Sequence, residues 1–331
     1  MDVRFAIPVL SLIATSLCSA SAAANPNGRP GLSGEISLNA LYLSSTSNFN
    51  TSGDEVINSI EQSGTSDSSV VPAPLGNIRY TFGSKGDKQL YAGTSRDDIA
   101  IGTLALELGY KQRLAYGTTV DVSYLPTVMS GEVWQDPYLV GVARATTDEK
   151  GDAYRLKLGN ILGTGINLDS AYGKKKVDDE RSGLTQLTPD NALALRRDSD
   201  NYYLKGSVRV PFSRAAFVVP AIIYTRSDAE GAANSFRSWG GEVSLFQRIA
   251  RHQLVLTAGY SSRDYDAIHP LYGQTRSEDK LSVFAAYELQ QFLGWPNLSL
   301  VSFAGYNETD ANLDFFDEKQ ALFSLGLSFQ F

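Results

Sequence analysis

The sequence predicts an all-β fold: one antiparallel transmembrane β-barrel of about fourteen strands, with twelve or sixteen as the alternatives. Three observations predict it. The last eleven residues alternate between apolar and small or polar side chains, and short turns alternate with long polar links through the 331-residue chain. After the N-terminal segment, no run of 18 apolar residues could form a transmembrane helix. A chain without long apolar runs can span a membrane as a β-barrel, because only every second residue of a barrel strand has to face lipid.

Residues 1–24 have the pattern of a secretory signal peptide. Arg4 precedes a mostly apolar run over residues 5–17, and the alanines at 22–24 supply a cleavage site of the A-x-A type. Cleavage there removes Cys18, the only cysteine of the sequence, so the remaining chain has no thiol for disulfides or metal ligation. We therefore expect export through the periplasm and a single barrel domain over residues 25–331.

The first seven strands follow from apolar residues at every second position. Between the first two lies a long polar stretch, 46–75, and a tight turn follows at 84–87. The strands are 33–44 (Ile36, Leu38, Ala40, Tyr42), 76–83 (Ile78, Tyr80, Phe82), 89–94, 99–112 (Leu104, Leu106, Leu108, Tyr110), 118–128 (Val120, Val122, Tyr124), 153–161 (Tyr154, Leu156, Leu158) and 166–174 (Ile166, Leu168, Tyr172).

Seven more strands follow a charged link over residues 175–200. The pair near 76–94 and the link 129–151 have the weakest patterns, and even strand numbers are the rule in single-chain bacterial barrels. The strand number therefore stays open between twelve, fourteen and sixteen. The strands are 201–210 (Tyr202, Leu204, Val208, Val210), 216–225, 236–246 (Trp239, Val243, Leu245), 254–261 (Leu254, Leu256, Ala258, Tyr260), 280–289 (Leu281, Val283, Ala285, Tyr287), 298–306 and 321–331.

Aromatic residues test this assignment, because short turns would lie in the periplasm and long loops outside. Aromatic rings are expected at the two membrane interfaces of a barrel, whereas a soluble β-sandwich would place them in its core. Nine fall at the predicted outer rim: Tyr42, Tyr124, Tyr154, Tyr172, Tyr202, Tyr224, Trp239, Tyr260 and Tyr306. Phe82, Tyr110, Trp295, Phe329 and Phe331 fall at the inner rim. The distribution favours a barrel over a sandwich.

The closing strand, 321–331, ends the chain on an aromatic residue and carries neither a charge nor a proline to protect an edge. It resembles the last strand of bacterial outer-membrane β-barrels. That resemblance implies recognition by the barrel assembly machinery through the apolar face Phe323, Leu325, Leu327, Phe329 and Phe331. The small face between them points into the lumen, so we expect this strand to direct assembly and to close the barrel.

The stretch at 32–40 with Ser45-Thr46-Ser47-Asn48-Phe49-Asn50 resembles the start of a family of gammaproteobacterial outer-membrane proteins known as a domain of unknown function. The resemblance extends over the chain after the signal peptide. It implies a porin-like single barrel in the outer membrane, and it implies no established activity, so no functional residue can be transferred.

Charged residues on the alternate face are candidates to line the lumen, because exposing Lys or Arg to lipid at the midplane costs about 2–4 kcal/mol. One interpretation is a polar channel for passive passage of small solutes. The other is a lumen filled by ion pairs, in a plugged barrel with a structural or adhesive role. Arg155 and Lys157 with Lys205 and Arg209 are expected to form a basic ladder opposite the acids. The candidates are Glu107, Lys111, Asp121, Arg155, Lys157, Asp169, Lys205, Arg209, Glu242, Lys280 and Glu288.

A hydrolase is the less favoured alternative. Of the two histidines, His252 lies in a predicted periplasmic turn, and His269 lies in a predicted outer loop near Asp266. An Asp–His pair at the outer rim would suit hydrolysis, although a solvated loop is the simpler explanation. No nucleophile elbow, phosphate loop or metal-ligand spacing is found, so we expect no enzyme activity and no cofactor.

The remaining charged segments suggest partners at the surface. The lysines at 174–176 and Arg196 with Arg197 lie where lipopolysaccharide phosphates would be, although ordinary solvated loops are the simpler reading. Acidic residues at 178–180, and Asp314 with Asp317 and Glu318, match no specific Ca²⁺ motif. A net charge of −7 makes nucleic acid an unsuitable partner.

Overall fold

The chain forms a closed antiparallel β-barrel in the computed structural model, which describes residues 30–94, 106–126 and 131–331. The predicted signal peptide lies outside these residues, as do residues 99–105 and 127–128 of two predicted strands. Among the described helices, none has both the length and the apolar character to cross a membrane.

Fourteen strands form the wall, as predicted. Each pairs with the next along the chain, and β16 pairs with β1 to close the ring. Two short strands pair with one neighbour each, β6 with β7 and β10 with β11. The strands are β1 (Gly31–Thr46), β2 (Ser66–Phe82), β3 (Lys88–Thr94), β4 (Leu106–Arg113), β5 (Thr119–Pro126), β6 (Gly131–Trp134), β7 (Thr146–Gly159), β8 (Ile166–Val177), β9 (Ser199–Val208), β10 (Val210–Pro211), β11 (Ala216–Ala229), β12 (Phe236–Ile249), β13 (His252–His269), β14 (Gln274–Leu289), β15 (Leu298–Ala311) and β16 (Glu318–Gln330).

Helical segments are short and lie in the connections. The single described α-helix, α1, spans Pro189–Ala192. Turns of 3₁₀ helix occupy Ala115–Gly117, Ile161–Gly163, Leu193–Leu195, Ala232–Asn234, Phe292–Gly294 and Asp314–Phe316.

The second strand begins earlier than predicted, because residues 66–75 belong to β2 and not to a loop. They pair residue by residue with β1, from Ser66 opposite Thr46 to Leu75 opposite Ser37. This part of β2 contains Pro72 and Pro74. Proline is tolerated in a strand where one side forms no backbone hydrogen bonds to a neighbouring strand. The two prolines meet this condition, because among the described residues β2 pairs with β3 only from Asn77 to Phe82.

The two ends of the barrel differ. At one, here called the turn end, the connections are compact, for example residues 160–165 and 250–251. At the other, here called the loop end, long connections run over residues 47–65 and 178–198. Several predicted links at the loop end are partly strand, since β13 and β14 continue their pairing to His269 and Gln274.

The predicted outer rim is an outward-facing ring at the loop end. Tyr124, Tyr154, Tyr172 and Tyr202 are successive register partners across β5, β7, β8 and β9, so they lie side by side on neighbouring strands. Their rings pack in pairs with centroids 5.3 Å apart. Tyr124 and Tyr172 also donate hydrogen bonds of 2.8 Å to carboxylates further toward the loop end. A ring with an apolar body and a hydrogen-bonded tip suits a lipid–water interface.

The closing strand also follows the prediction. Phe323, Leu325, Leu327, Phe329 and Phe331 all point outward and are 45–50% exposed. Ser324 and Ser328 point inward and are buried. The inner and outer faces therefore alternate up to the last residue of the chain.

Candidate functional site: the inner wall and the loop core

Ten of the eleven charged residues predicted to line the lumen lie on the inner face of wall strands, and Arg209 lies in the break between β9 and β10. Each alternates with outward neighbours such as Leu108, Leu156 and Leu204, which are exposed. Lys157, Lys280 and Glu288 are partly buried, and Lys111 and Arg209 are exposed toward the turn end. Six are buried: Glu107, Asp121, Arg155, Asp169, Lys205 and Glu242.

Arg155 and Asp169 form a bidentate ion pair between neighbouring strands β7 and β8. The Arg155 Nε atom donates to Asp169 Oδ1 at 2.9 Å, and a terminal guanidinium nitrogen donates to Oδ2 at 2.7 Å. The two side chains are only 3% and 6% exposed. The planar fork of arginine matches a carboxylate in this geometry, which fixes both side chains against the wall.

A second buried pair joins Lys205 to Glu242. The Lys205 Nζ atom lies 2.7 Å from Glu242 Oε1, and the side chains are 2% and 3% exposed. The partners come from β9 and β12, which are separated by β11. An ammonium group this far from water needs a carboxylate partner, because desolvating a lone charge is very costly.

A third group surrounds the hydroxyl of Tyr91 on β3. It donates to Asp121 Oδ1 at 2.7 Å and lies 3.3 Å from Glu107 Oε1. Ser123 donates to the same Glu107 oxygen at 2.6 Å, and Lys157 Nζ approaches it at 3.3 Å. Tyr91 was not among the predicted residues; its alternation with the outward-facing Leu90 was the available signal.

The predicted basic ladder facing a row of acids is not the arrangement found. Asp169 is one wall strand away from Arg155, and Glu107 and Glu242 are two wall strands away from Lys157 and Lys205. The bases thus pair locally along the wall. Arg209 has a different contact, since its guanidinium carbon lies 3.8 Å from the centre of the Phe217 ring.

An apolar patch on the inner face, the apolar wall, was also missed by sequence reasoning. Its buried members are Leu41, Ala73, Phe303 and Leu322, from β1, β2, β15 and β16, with Leu43, Val71, Phe284 and Ala286 packed beside them. Phe284 and Phe303 stack with centroids 6.2 Å apart. The signal was that β14 and β15 carry apolar residues on both faces, where a wholly polar lumen needs only one.

The connections at the loop end pack into a cluster of their own, which we call the loop core. Phe315 and Leu195 are fully buried, and Phe316 and Tyr138 are 2% exposed. Contributions come from connections that are distant in sequence: Phe49, Ile57, Ile60, Tyr138, Leu187, Ala194, Leu195, Ala233, Leu271, Tyr272, Ala311, Leu313, Phe315 and Phe316. Six connections thus meet over the loop end of the barrel.

Arg144 ties two of these connections together. Its guanidinium donates to the carbonyl oxygens of Asn48 at 2.8 Å and Pro137 at 3.2 Å, and also to that of Asp54. The same group lies 4.2 Å from the centre of the Trp134 ring. Burial lowers the pKa of Arg144 to about 10. The loop core is therefore stabilised by directional contacts as well as by apolar burial.

The two residues of the hydrolase hypothesis are not brought together. His269 is fully buried in the loop core, and its Nε2 atom contacts the Tyr138 hydroxyl at 3.1 Å. Asp266 instead pairs with Arg226 at 2.7 Å. His269 packs against the Tyr272 and Phe316 rings, with centroids 4.9 and 5.5 Å away. The histidine therefore belongs to a packed core and not to an open Asp–His site.

We expect acid to loosen the loop core through His269. This residue lies nine positions beyond Tyr260 of the outer rim, about 30 Å along the strand. Burial, with the positive charge of Arg276 as a smaller cause, lowers its pKa to about 3 from an ordinary 6.5. Tyr138 and Tyr272, the other titratable groups that face it, have pKa values raised by burial and stay neutral in acid. An opened loop core binds the proton more readily, so the closed form loses stability as pH falls from about 6.5 toward 3.

The loss should approach about 1.4 kcal/mol per pH unit within that window. Hydrogen–deuterium exchange of the loop-end connections at each pH, corrected for the intrinsic pH dependence of exchange, measures the opening. His269→Gln removes the titration and should flatten the response. An equal acid response in that variant would contradict the assignment.

The charged surface segments are mostly neutralised by neighbours. Lys174 lies 3.7 Å from Asp200, Lys175 lies 3.5 Å from Glu149, and Arg197 lies 2.8 Å from Glu180. The described residues contain no group of carboxylates, histidines or cysteines arranged to hold a metal ion. Surface binding of lipopolysaccharide therefore stays a prediction, with fewer unpaired cations than the sequence suggested.

Comparison with known proteins gives one family and a set of similar folds. A family model described as "Protein of unknown function (DUF2860)" matches residues 31–330. No curated protein is significantly similar in sequence. The outer membrane channel DcaP of Acinetobacter baumannii is 10% identical with a TM-score of 0.48, covering 91% of this chain and 96% of that one.

Two other solved structures are similar at comparable levels. An anion-selective porin from Comamonas acidovorans is 11% identical with a TM-score of 0.43, covering 92% and 99% of the two chains. A FadL homologue from Pseudomonas aeruginosa is 12% identical with a TM-score of 0.44, covering 90% of each chain.

Proposed function

The chain belongs to the DUF2860 family of proteins of unknown function, and from this starting point we propose that it is an outer-membrane, porin-like channel whose loop end is narrowed by the loop core. The observation that carries the proposal is the two-sided wall: apolar and aromatic side chains face outward, and charged and hydroxyl side chains occupy part of the inner face. A barrel that only had to be stable in lipid would not need so many ionisable groups on its inner face.

The height of the outer surface supports placement in an outer membrane. Ten residues separate Leu32 from Tyr42 on the outward face of β1, and both are exposed. At about 3.3 Å per residue and a strand tilt of about 40°, this length spans about 25 Å, the height of the apolar band on such barrels. The turn end then faces the periplasm, and the loop core faces outward.

Three related proposals accompany this placement. Residues 1–24 direct export and are removed, the outward apolar residues of β16 bind the assembly machinery, and the outer surface contacts lipid and lipopolysaccharide. Small solutes are the cargo. Membership of the family adds no catalytic residue to this proposal.

The loop core also favours a second function, a sealed barrel with a structural or adhesive role, because Phe315, Phe316 and Tyr138 are at most 2% exposed. Conductance separates the two. We expect low conductance from the refolded full chain in planar bilayers and a several-fold increase for Phe315→Ala, since removing a buried phenylalanine from a packed core costs about 3–5 kcal/mol. Phe212→Ala, an exposed phenylalanine at the turn end, is the matched control and should conduct like the parent. Absence of conductance from both the parent and Phe315→Ala would support the sealed barrel.

A further inference from the structure

The apolar wall lies across the lumen from the buried ion pairs. The apolar wall is centred on β16, between β14 and β2. In a ring of fourteen wall strands, β8 lies seven strands from β16 in either direction, and β8 carries Asp169 of the buried Arg155 pair. The Tyr91 group on β3 to β7 and the Lys205–Glu242 pair lie on either side of β8. We call the inner face around β8 the polar half, although it also carries the apolar Tyr203 and Ile223. The inner face around β16 is the apolar half, although it also carries Ser37 and Asn39.

The two halves lie at the same height. Leu41 directly precedes Tyr42 in β1 and faces the lumen. Leu322 directly precedes Phe323, which is the register partner of Tyr42. Arg155 lies next to Tyr154, which belongs to the same outer rim. A solute at this level passes between the two surfaces.

Both halves include side chains that are partly exposed to solvent. Leu43, Val71, Phe284 and Ala286 are only partly buried on the apolar side. On the polar side, Lys157 keeps 28% of its side chain exposed. The apolar side chains gain little from contact with water, so a ligand with an apolar segment would be favoured there.

The charges of the polar half determine which head group suits it. Lys205 is bonded to Glu242, Arg155 to Asp169, and Lys157 to Glu107. A charged ligand would compete with these ion pairs, whereas an uncharged group with several hydroxyls can hydrogen-bond to groups already in place.

We propose that the lumen binds small amphipathic solutes with a short apolar tail and an uncharged, hydrogen-bonding head. The tail packs on the apolar wall around Leu322, and the head faces the Tyr91 group, where Lys157 is partly exposed. This inference rests on the proposed function in one respect: the lumen must be reachable from water.

The test is binding of hexyl β-glucoside to the full chain in lipid nanodiscs, measured by calorimetry with empty nanodiscs subtracted. Glucose supplies the head alone, and hexanoate supplies a similar tail with a charge. We expect hexyl glucoside to bind at least about tenfold more tightly than either, which requires only about 1.4 kcal/mol of apolar contact. Leu322→Ser should remove most of this preference. Val219→Ser, the corresponding change at a buried inner-face residue on β11, should retain it.

A second measurement needs no variant: affinity in the parent should rise from butyl to hexyl glucoside. The site is overturned if hexyl glucoside binds no more tightly than glucose. It is also overturned if correctly folded Leu322→Ser protein binds hexyl glucoside with the affinity of the parent. Binding without conductance would support the site and contradict the channel. Conductance without preference for hexyl glucoside would overturn the site and leave the channel standing.

Discussion

Glu242→Gln should destabilise the barrel by about 3–5 kcal/mol, because it removes the carboxylate that is hydrogen-bonded to the buried Lys205 ammonium. Lys205 is 2% exposed, and its nitrogen lies 2.7 Å from the Glu242 carboxylate. The glutamine keeps the size of the side chain and can still accept a hydrogen bond, so lost packing would not explain the effect. Equilibrium unfolding in urea, followed by tryptophan fluorescence of the refolded protein, measures the change.

Two further variants show whether the loss comes from the isolated charge. Lys205→Met combined with Glu242→Leu removes both charges and should recover most of the stability, since apolar replacement of a buried ion pair is often neutral or favourable. Glu308→Gln makes the same substitution in the exposed pair with Lys319, where the side chains are 37% and 56% exposed, and should change little. Equal effects of Glu242→Gln and Glu308→Gln would contradict the importance of burial.

Leu325→Arg should sharply reduce insertion of the barrel into vesicles. Leu325 points outward on β16, is 47% exposed, and lies between Phe323 at the outer rim and Phe329 at the inner rim. A charge at this depth would face lipid at a cost of about 2–4 kcal/mol, a large fraction of the 5–15 kcal/mol that stabilises a typical folded protein. The folded fraction, measured by heat-modifiable gel mobility after refolding into vesicles, should fall several-fold.

The controls separate charge from size and position. Leu325→Phe keeps an apolar side chain at the same place and should insert normally. Gln330→Arg introduces the same charge on the inner face, opposite Glu35 in the register, and should also be tolerated. Normal insertion of Leu325→Arg would remove the lipid-facing assignment of this strand and, with it, the proposed assembly signal.

The fold was largely predictable because a strand in a barrel wall obeys one local rule. The period of two assigned Phe323, Leu325 and Leu327 to the outside and Ser324 to the inside, and the structure confirms it. The same rule failed for residues 66–75, where serine, aspartate and two prolines obscured a strand that is supported by its neighbour.

The candidate site was predictable only in part. Inner-face positions such as Glu107 and Arg155 follow from alternation, but their partners do not. The loop core was not predicted, because isolated apolar residues such as Ile60 in a polar segment resemble a solvated loop. Its contacts span long separations, as when the Tyr272 hydroxyl donates to the Ile60 carbonyl at 2.5 Å.

The sequence by itself determined which side chains of a strand share a face and where the two aromatic rims lie, because these depend on spacing along a single strand; the choice of fourteen strands over twelve or sixteen came from the structure. Tertiary structure alone decided that Lys205 meets Glu242, that His269 is buried instead of paired with Asp266, and that the apolar wall faces the ion pairs. The physical reason is the closed ring: its pairing brings inner-face residues of separate strands into contact, and neither the register nor the curvature is encoded in the pattern of one strand.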